Sequence, residues 1–230
     1  IETYLELVSH FRGERIALSI FNSTSRTVFP LTDDYDLVSS QLTKAAGALR
    51  GVESQDDIDK MSDKDYQKIA DWLEGTQNRK NSTSLIGDGL VSCAAMIPGF
   101  AYGDTSGAAR QRPASIVLAT DNVASGTPTY SLVQALDMAE ASHISVDGLF
   151  SGPRQSEGDA TTTEMKQQIE SRGGTFLTQS GSSDINELVR QIDSRRTSES
   201  RRSSQAALID AKAQIEENEA LLNDKKQELA

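Results

Sequence analysis

Three short segments of the chain carry the polar side chains whose types and spacing could form a binding site. They are 81–90 (Asn-Ser-Thr-Ser-Leu-Ile-Gly-Asp-Gly-Leu), 116–122 (Ile-Val-Leu-Ala-Thr-Asp-Asn) and 126–128 (Gly-Thr-Pro). In an open parallel sheet, the ligand site forms at the carboxyl ends of the strands, where the following loops converge. Hydroxyl and carboxylate oxygens at such a place suit a hard cation such as Mg²⁺.

The residues that common catalytic sites require do not stand in the necessary patterns. His10 and His143 are far apart, and neither has a cysteine or second histidine at ligand spacing, so neither a zinc site nor a histidine relay is supported. No Gly-x-Ser-x-Gly turn is present, and 87–89 lacks the later glycine and the lysine of a phosphate-binding loop. Cys93, the one cysteine, falls in an expected helix as a small buried thiol. An α/β hydrolase or a nucleotide-binding enzyme is therefore disfavoured.

Composition limits the class of partner. The 230 residues include 23 Lys and Arg against 34 Asp and Glu, a net charge of −11. Nucleic acids and anionic membranes attract clustered positive charge, so we expect no nucleic-acid partner, and a basic target or a metal ion fits better. We also expect no small-molecule substrate. No apolar run approaches the ~18 residues that span a bilayer, but Ile1 falls inside an apparent helix, so we expect further sequence upstream and leave a membrane anchor outside this chain open.

Strands and helices alternate along most of the chain. Residues 1–11 have helical spacing, and the runs 15–21 and 26–31 predict a hairpin, after which Thr32 is expected to cap a helix. Run 115–120 is apolar without alternation, which is typical of a strand buried on both faces of a parallel sheet. Further helices are predicted near 84–97 and at 131–142, 163–172 and 185–194, and further strands at 144–150 and 175–178. The fold class is therefore α/β, a doubly wound, mostly parallel sheet with helices on both faces.

The predicted organisation is one main domain at 1–193 with a polar insertion at 51–81, a Ser/Arg-rich linker at 194–204 and a C-terminal helix at 205–230. Within that helix an apolar residue recurs every seven positions, at Leu208, Ile215, Leu222 and Leu229. The sequence leaves open whether the helix docks on the domain, pairs with a partner helix, leads toward a membrane anchor or remains a solvated tail.

The order of these motifs resembles von Willebrand factor type A domains, most closely those of bacteria, over roughly residues 1–193. The motifs are the hairpin Arg-Ile-Ala-Leu-Ser-Ile-Phe with Val-Phe-Pro-Leu-Thr-Asp-Asp, the helix start at 83–90, the strand ending in Thr-Asp, and the helix-to-strand passage 169–177. The resemblance implies a Rossmann-like fold and a protein-binding module instead of an enzyme.

In that family a metal-ion-dependent adhesion site is built by an Asp-x-Ser-x-Ser motif after the first strand, a threonine from a second loop and an aspartate after the fourth strand. By position, Asp121 matches the aspartate. The threonine position falls on Thr83 by side-chain type or on Ser84 by the count back from Gly87. The resemblance implies Mg²⁺, or Mn²⁺ or Ca²⁺, with an acidic side chain of a protein partner completing the coordination; neighbouring Asn122 and Ser82 are expected to contact the partner.

The sequence departs from the family pattern at one of the three metal-binding segments. No Asp-x-Ser-x-Ser motif stands at the matching place, and we expect it upstream of Ile1; 104–108 imitates the motif but lacks the last serine and is expected to be a turn. Two ligand positions alone would hold a metal ion poorly. Plainer roles also stay open: Thr83 or Ser84 as a helix N-cap, Asp121 as a loop cap, and Asp88 as a favourable charge in the first turn of a helix.

Two functions follow from the sequence. The first is a metal-dependent module for adhesion or complex assembly, on the outer face of a bacterial membrane or at the cell surface. The second is a metal-free scaffold that contacts its partner through the C-terminal helix.

Overall fold

Two separate sheets and eight α-helices make up the part of the chain that the computed structural model describes, which is residues 1–50, 52, 55–78, 81–102, 113–178 and 185–228. A short 3-10 helix lies at Arg154–Ser156. In chain order the elements are α1 (Glu2–His10), β1 (Ile16–Phe21), β2 (Ser25–Thr32), α2 (Tyr35–Ala48), α3 (Gln55–Asp59), α4 (Asp63–Leu73), α5 (Ile86–Ala94), β3 (Ala114–Thr120), α6 (Leu132–Ala141), β4 (Ile144–Phe150), α7 (Ala160–Glu170), β5 (Phe176–Leu177) and α8 (Ile185–Glu228).

The larger sheet is parallel, in the order β3-β4-β5, and helices cover both of its faces. Ile116 and Leu118 of β3 pack with residues of α5, α6 and α7, whereas Val117 and Ala119 pack with residues of α1 and α8. Successive side chains of a strand point to opposite faces, so a strand covered on both sides is apolar throughout. The predicted α/β class, with its parallel sheet between helix layers, is confirmed.

The smaller sheet is the predicted hairpin, in which β1 and β2 are antiparallel. Its core is shared with α1 and α2, where Val8, Phe29, Val38 and Leu42 are buried together. No backbone ladder joins β1 or β2 to the parallel sheet within the described residues. Within the described residues the hairpin is thus a second, antiparallel sheet beside the predicted parallel one.

The polar insertion forms α3 and α4, and α4 anchors the turn of the hairpin. Ser62 caps α4 by accepting the Asp65 N–H, as expected of a serine before a helix. Arg26 of β2 donates to the Trp72 carbonyl at 2.6 Å and lies over the Trp72 ring. The buried Thr76 accepts at its carbonyl from Thr24 N–H at 3.0 Å. The insertion thus holds the end of the hairpin in place.

Two local predictions need correction. The cap of α2 is Asp34, whose carboxylate accepts the Leu37 N–H at 2.9 Å, while Thr32 lies two residues before the cap and accepts the Asp34 N–H with its hydroxyl. The residues 194–204, predicted as a linker, lie inside α8, which runs without a break from Ile185 to Glu228. A Ser/Arg-rich composition did not break the helix because neither glycine nor proline occurs there.

Candidate functional site

Strand ends and loops meet at one rim of the protein. The carbonyl of Thr120, the last residue of β3, accepts the N–H of Ser151, which directly follows β4, at 2.9 Å. Asn22 directly follows β1, and its backbone carbonyl accepts the Leu85 N–H at 2.8 Å. The ends of β1, β3 and β4 are therefore tied to one another or to the loop that precedes α5.

The two loops that carry the predicted site residues are joined by backbone. Thr83 N–H donates to the Ser125 carbonyl at 2.8 Å, and Ser125 N–H donates to the Thr83 carbonyl at 3.0 Å, which forms an isolated antiparallel bridge. Gly126 has φ +102° and lies so close to Ser82 that a β-carbon there would overlap its side chain. The loop before α5 and the loop after β3 therefore form one surface.

Asp121 and Asn122 occupy the turn that leaves β3. Asp121 is exposed, and its Oδ1 accepts the Val123 N–H at 3.0 Å. Asn122 is half-buried and has φ +59°, a left-handed conformation that asparagine adopts more readily than most residues. Its N–H donates to the Thr120 hydroxyl at 3.0 Å. One carboxylate oxygen of Asp121 thus fixes the turn, and the other, Oδ2, has no protein partner among the described residues.

Thr83 and Ser84 do not cap the helix that they precede. The N-cap of α5 is Leu85, and no side chain makes the capping hydrogen bond. Ser84 has φ +48°, and its N–H donates to Asn22 Oδ1 at 3.0 Å. Within the described part of the chain, the hydroxyls of both residues have no protein hydrogen-bond partner. The N-cap interpretation of these two residues is wrong, and their side-chain oxygens remain available to a ligand.

Asp88 has a more specific role than a favourable charge in the first turn. Its carboxylate accepts the Tyr130 N–H at 2.7 Å and the Thr129 N–H at 3.1 Å, just before α6. A β-carbon at Gly87 would overlap the Tyr130 carbonyl, so only glycine permits this approach of the two helices. Asp88 and Gly87 therefore fix the loop after β3 against α5 and set the shape of the rim.

Three side-chain oxygens at the rim can be compared with the ligands that a metal ion requires. Asp121 Oδ2 and the hydroxyls of Thr83 and Ser84 are hard oxygen donors on joined loops, which suits Mg²⁺. Only one of the three is charged, and among the described residues no group of three or more His, Cys, Asp or Glu side chains is placed to hold an ion. The set therefore fits only an ion that keeps several waters. Segment 104–108 lies outside the described residues.

Two polar residues that the sequence analysis missed have defined places in the structure. Asn22 links β1 to the loop before α5 by its side chain and its carbonyl. Asp147 in β4 is fully buried, and it accepts from Arg195 Nη2 at 2.6 Å and from the Thr175 N–H at 2.8 Å. A charged residue inside the apolar run 144–150 is itself a signal of a buried ion pair. Nothing in the sequence around Asn22 distinguishes it from an ordinary turn residue.

Similar proteins were found among the solved structures, but not among known families or curated proteins. No known family matches the chain, and no curated protein matches it. Similar solved structures include an aerotolerance-related membrane protein from Bacteroides fragilis NCTC 9343 with multiple mutations to serines, at 15% identity over 86% of each chain with a TM-score of 0.46. The conserved hypothetical protein BatB from Bacteroides thetaiotaomicron is 15% identical over 84% of this chain and 85% of that one, with a TM-score of 0.49.

A third similar structure is an uncharacterized membrane spanning protein from Vibrio fischeri, at 17% identity over 84% of this chain and 81% of that one, with a TM-score of 0.26. Two of these three proteins are described as membrane proteins. Within the described residues of the present chain, no helix is both long and apolar enough to cross a bilayer. At these identities and scores, the likenesses carry no argument about family or function.

Proposed function

We propose that the protein is a metal-ion-dependent protein-binding module that serves adhesion or complex assembly and not catalysis. The observation that carries the proposal is the placement of Asp121 Oδ2 and the hydroxyls of Thr83 and Ser84, none with a protein partner, on two loops joined by the backbone bridge between Thr83 and Ser125. The resemblance of the sequence to von Willebrand factor type A domains implies metal ligation by Asp121 and by one of Thr83 and Ser84. The resemblance also implies a bacterial cell surface or membrane-associated location.

The chemistry of the rim defines the expected partner. A divalent ion held by one carboxylate and by neutral hydroxyls keeps a net positive charge of about one, so it attracts an acidic side chain of the partner despite the net charge of −11 on this chain. Asn122 and Ser82 flank the ligand positions and would contact the partner beside the ion. The ion would thus act as a bridge between two proteins of which one supplies a carboxylate.

Isothermal titration of the 230-residue chain with Mg²⁺ and with Mn²⁺ tests the proposal. We expect weak binding, and we expect Asp121→Ala to reduce the affinity at least tenfold because it removes the one charged ligand of the set. Asp137→Ala is the matched control, since Asp137 is an exposed aspartate of α6 that pairs with Arg172 away from the rim. Equal affinities for the wild type and Asp121→Ala would remove the metal mechanism.

A metal-free scaffold that contacts its partner through α8 is the second candidate function. The observation that favours it is the exposure of three large apolar residues in the later part of this helix, Leu208, Ile209 and Ile215. Apolar surface of this kind on a helix commonly pairs with another helix. Partner capture that persists in EDTA and is lost when 205–230 is deleted would favour this function over the first.

A further inference from the structure

The later part of α8 has one face that no other described element covers. The first part of the helix packs on the domain through Leu188 and Ile192. Since each residue turns an α-helix by about 100°, Arg201 lies on the opposite side of α8 from Ile192, and Leu208 lies close to that side as well. A groove of about 490 Å³ runs along this face, and among the described residues only those of α8, from Arg196 to Leu208, line it.

This outer face of α8 carries charged and apolar side chains in a definite order. Its members are spaced three or four positions apart and are all exposed: Arg201, Gln205, Leu208, Lys212, Ile215 and Glu219. Neither Arg201 nor Glu219 forms an ion pair with another described residue. The outer face thus begins with a positive charge, ends with a negative charge and has its large apolar residues between them.

The order of these side chains is complementary to itself when a second copy of α8 runs in the opposite direction. With a two-fold axis next to Ile209, Arg201 faces the partner's Glu219, and symmetry repeats this ion pair at the other end of the contact. Leu208 then faces the aliphatic stem of the partner's Lys212. Ile209, which is 62% exposed, lies beside the same residue of the second copy. Opposite charges therefore meet at both ends, and apolar side chains meet in the middle.

Other occupants match this face less well. In a parallel, in-register pair, Arg201, Lys212 and Glu219 would each face the same residue of the partner, and like charges at such short range are destabilising. A partner helix with charges of one sign would be attracted at one end of the outer face and repelled at the other. A reversed copy of the same helix satisfies both ends.

We propose that the later part of α8 binds a second copy of this chain as an antiparallel helix pair, with ion pairs between Arg201 and Glu219 at both ends. The contact from Arg201 to Glu219 is about 27 Å long. Two single helices of this length bury roughly 1,000 Å² in total, which is below the range of stable interfaces. The dimer is therefore weak, and the monomer dominates in dilute solution.

Antiparallel pairing has a consequence for the whole molecule. The domain is attached to the first part of α8, so two domains lie at opposite ends of the paired helices. Each dimer then carries two copies of the rim formed by the loops after β3 and before α5. If the rim binds a partner as proposed above, a surface with repeated partner sites is held more tightly by the dimer than by one copy. The pairing itself does not depend on the metal site.

Sedimentation equilibrium of the 230-residue chain measures the association. We expect a monomer–dimer equilibrium between about 5 and about 500 µM protein at about 50 mM salt, where charge pairs are screened least. Arg201→Glu places a glutamate opposite Glu219 at both ends, so it should weaken the dimer about fivefold or more. Glu219→Arg should weaken it by a similar factor, since it places two arginines opposite each other.

Restored charge pairs distinguish contact across the dimer from an effect on the helix itself. The double variant Arg201→Glu/Glu219→Arg again has opposite charges at both ends, so its dimer should be within about twofold of the wild type in strength. An equimolar mixture of the two single variants should associate equally well. Arg154→Glu and Glu164→Arg change the net charge by the same amounts at exposed positions of the domain, and both should leave the dimer unchanged.

Three results would overturn the proposal. The first is a wild-type chain that stays monomeric at the highest concentration. The second is an association that Arg201→Glu does not weaken, which parallel pairing predicts because position 201 would face position 201 in both proteins. The third is a double variant as weak as the single variants. Glutamate and arginine are both good helix formers, so far-UV circular dichroism should show that every variant keeps its helix content.

Discussion

The first and later parts of α8 have the same secondary structure but opposite surroundings. In the first part, Ile185, Leu188 and Ile192 are buried against α1 and the parallel sheet. In the later part, Leu208 is 71% exposed and Ile215 is 57% exposed. Short helices are marginal in water, and tertiary packing of an apolar face supplies most of their stability. An apolar residue at helical spacing therefore identifies a helix, but it does not identify which part of that helix is packed.

Arg195 marks the end of the docked part, and its removal should have the largest effect. Asp147 is 0% exposed, and Arg195 is its charged partner. Breaking a buried pair from one side leaves an uncompensated charge, so we expect Arg195→Met to lower the free energy of unfolding by about 3–4 kcal/mol, near the lower end of the usual range because Arg195 retains 20% exposure. Urea denaturation measures this loss.

The double variant Asp147→Asn/Arg195→Met is the control for that prediction. Removing both charges abolishes the uncompensated carboxylate, so the double variant should be more stable than Arg195→Met alone. A double variant that loses the sum of the two single losses would mean that the two side chains stabilise the fold independently.

A leucine-to-alanine pair compares the two parts of the helix with the same chemical change. Leu188 is 0% exposed, so Leu188→Ala should cost about 3 kcal/mol through lost burial and the cavity left behind. Leu208→Ala should change the free energy of unfolding by less than about 0.5 kcal/mol, since the residue is largely in water. Denaturation at low protein concentration gives both values, and a loss at Leu208 that grows with concentration would show self-association through the later part.

The elements of the fold were predictable because local patterns determine them. The strand 144–150 was predicted at its observed bounds, and Ser131 caps α6 with a full capping box, where a helix start was predicted. The continuity of α8 across 194–204 was not predictable from composition, since serine and arginine are tolerated in helices as well as in linkers. The sequence also did not indicate whether the hairpin pairs with β3, because a sequence pattern identifies strands but not which strand edges pair.

The candidate site was predictable in its location but not in its internal bonding. Asp121 follows β3 and Thr83 precedes α5, as the order of elements required. The contacts that hold the rim together depend on long-range approach: Thr83 bridges Ser125, Asn22 binds the Ser84 N–H, and Asp88 binds Tyr130. These partners are 42 to 62 positions apart in the sequence, so no local periodicity reveals them.

Truncation after Ser204 should have a smaller effect on stability than either Arg195→Met or Leu188→Ala. The described side chains from Ser204 to Glu219 are exposed, so their loss removes little buried apolar surface, and we expect the melting temperature to fall by less than about 2 °C. Far-UV circular dichroism should still lose helical signal in proportion to the residues removed if the later part is helical on its own. A larger fall in melting temperature would show that this part packs on the domain or on a second copy, and repeating the measurement at several protein concentrations separates these two cases.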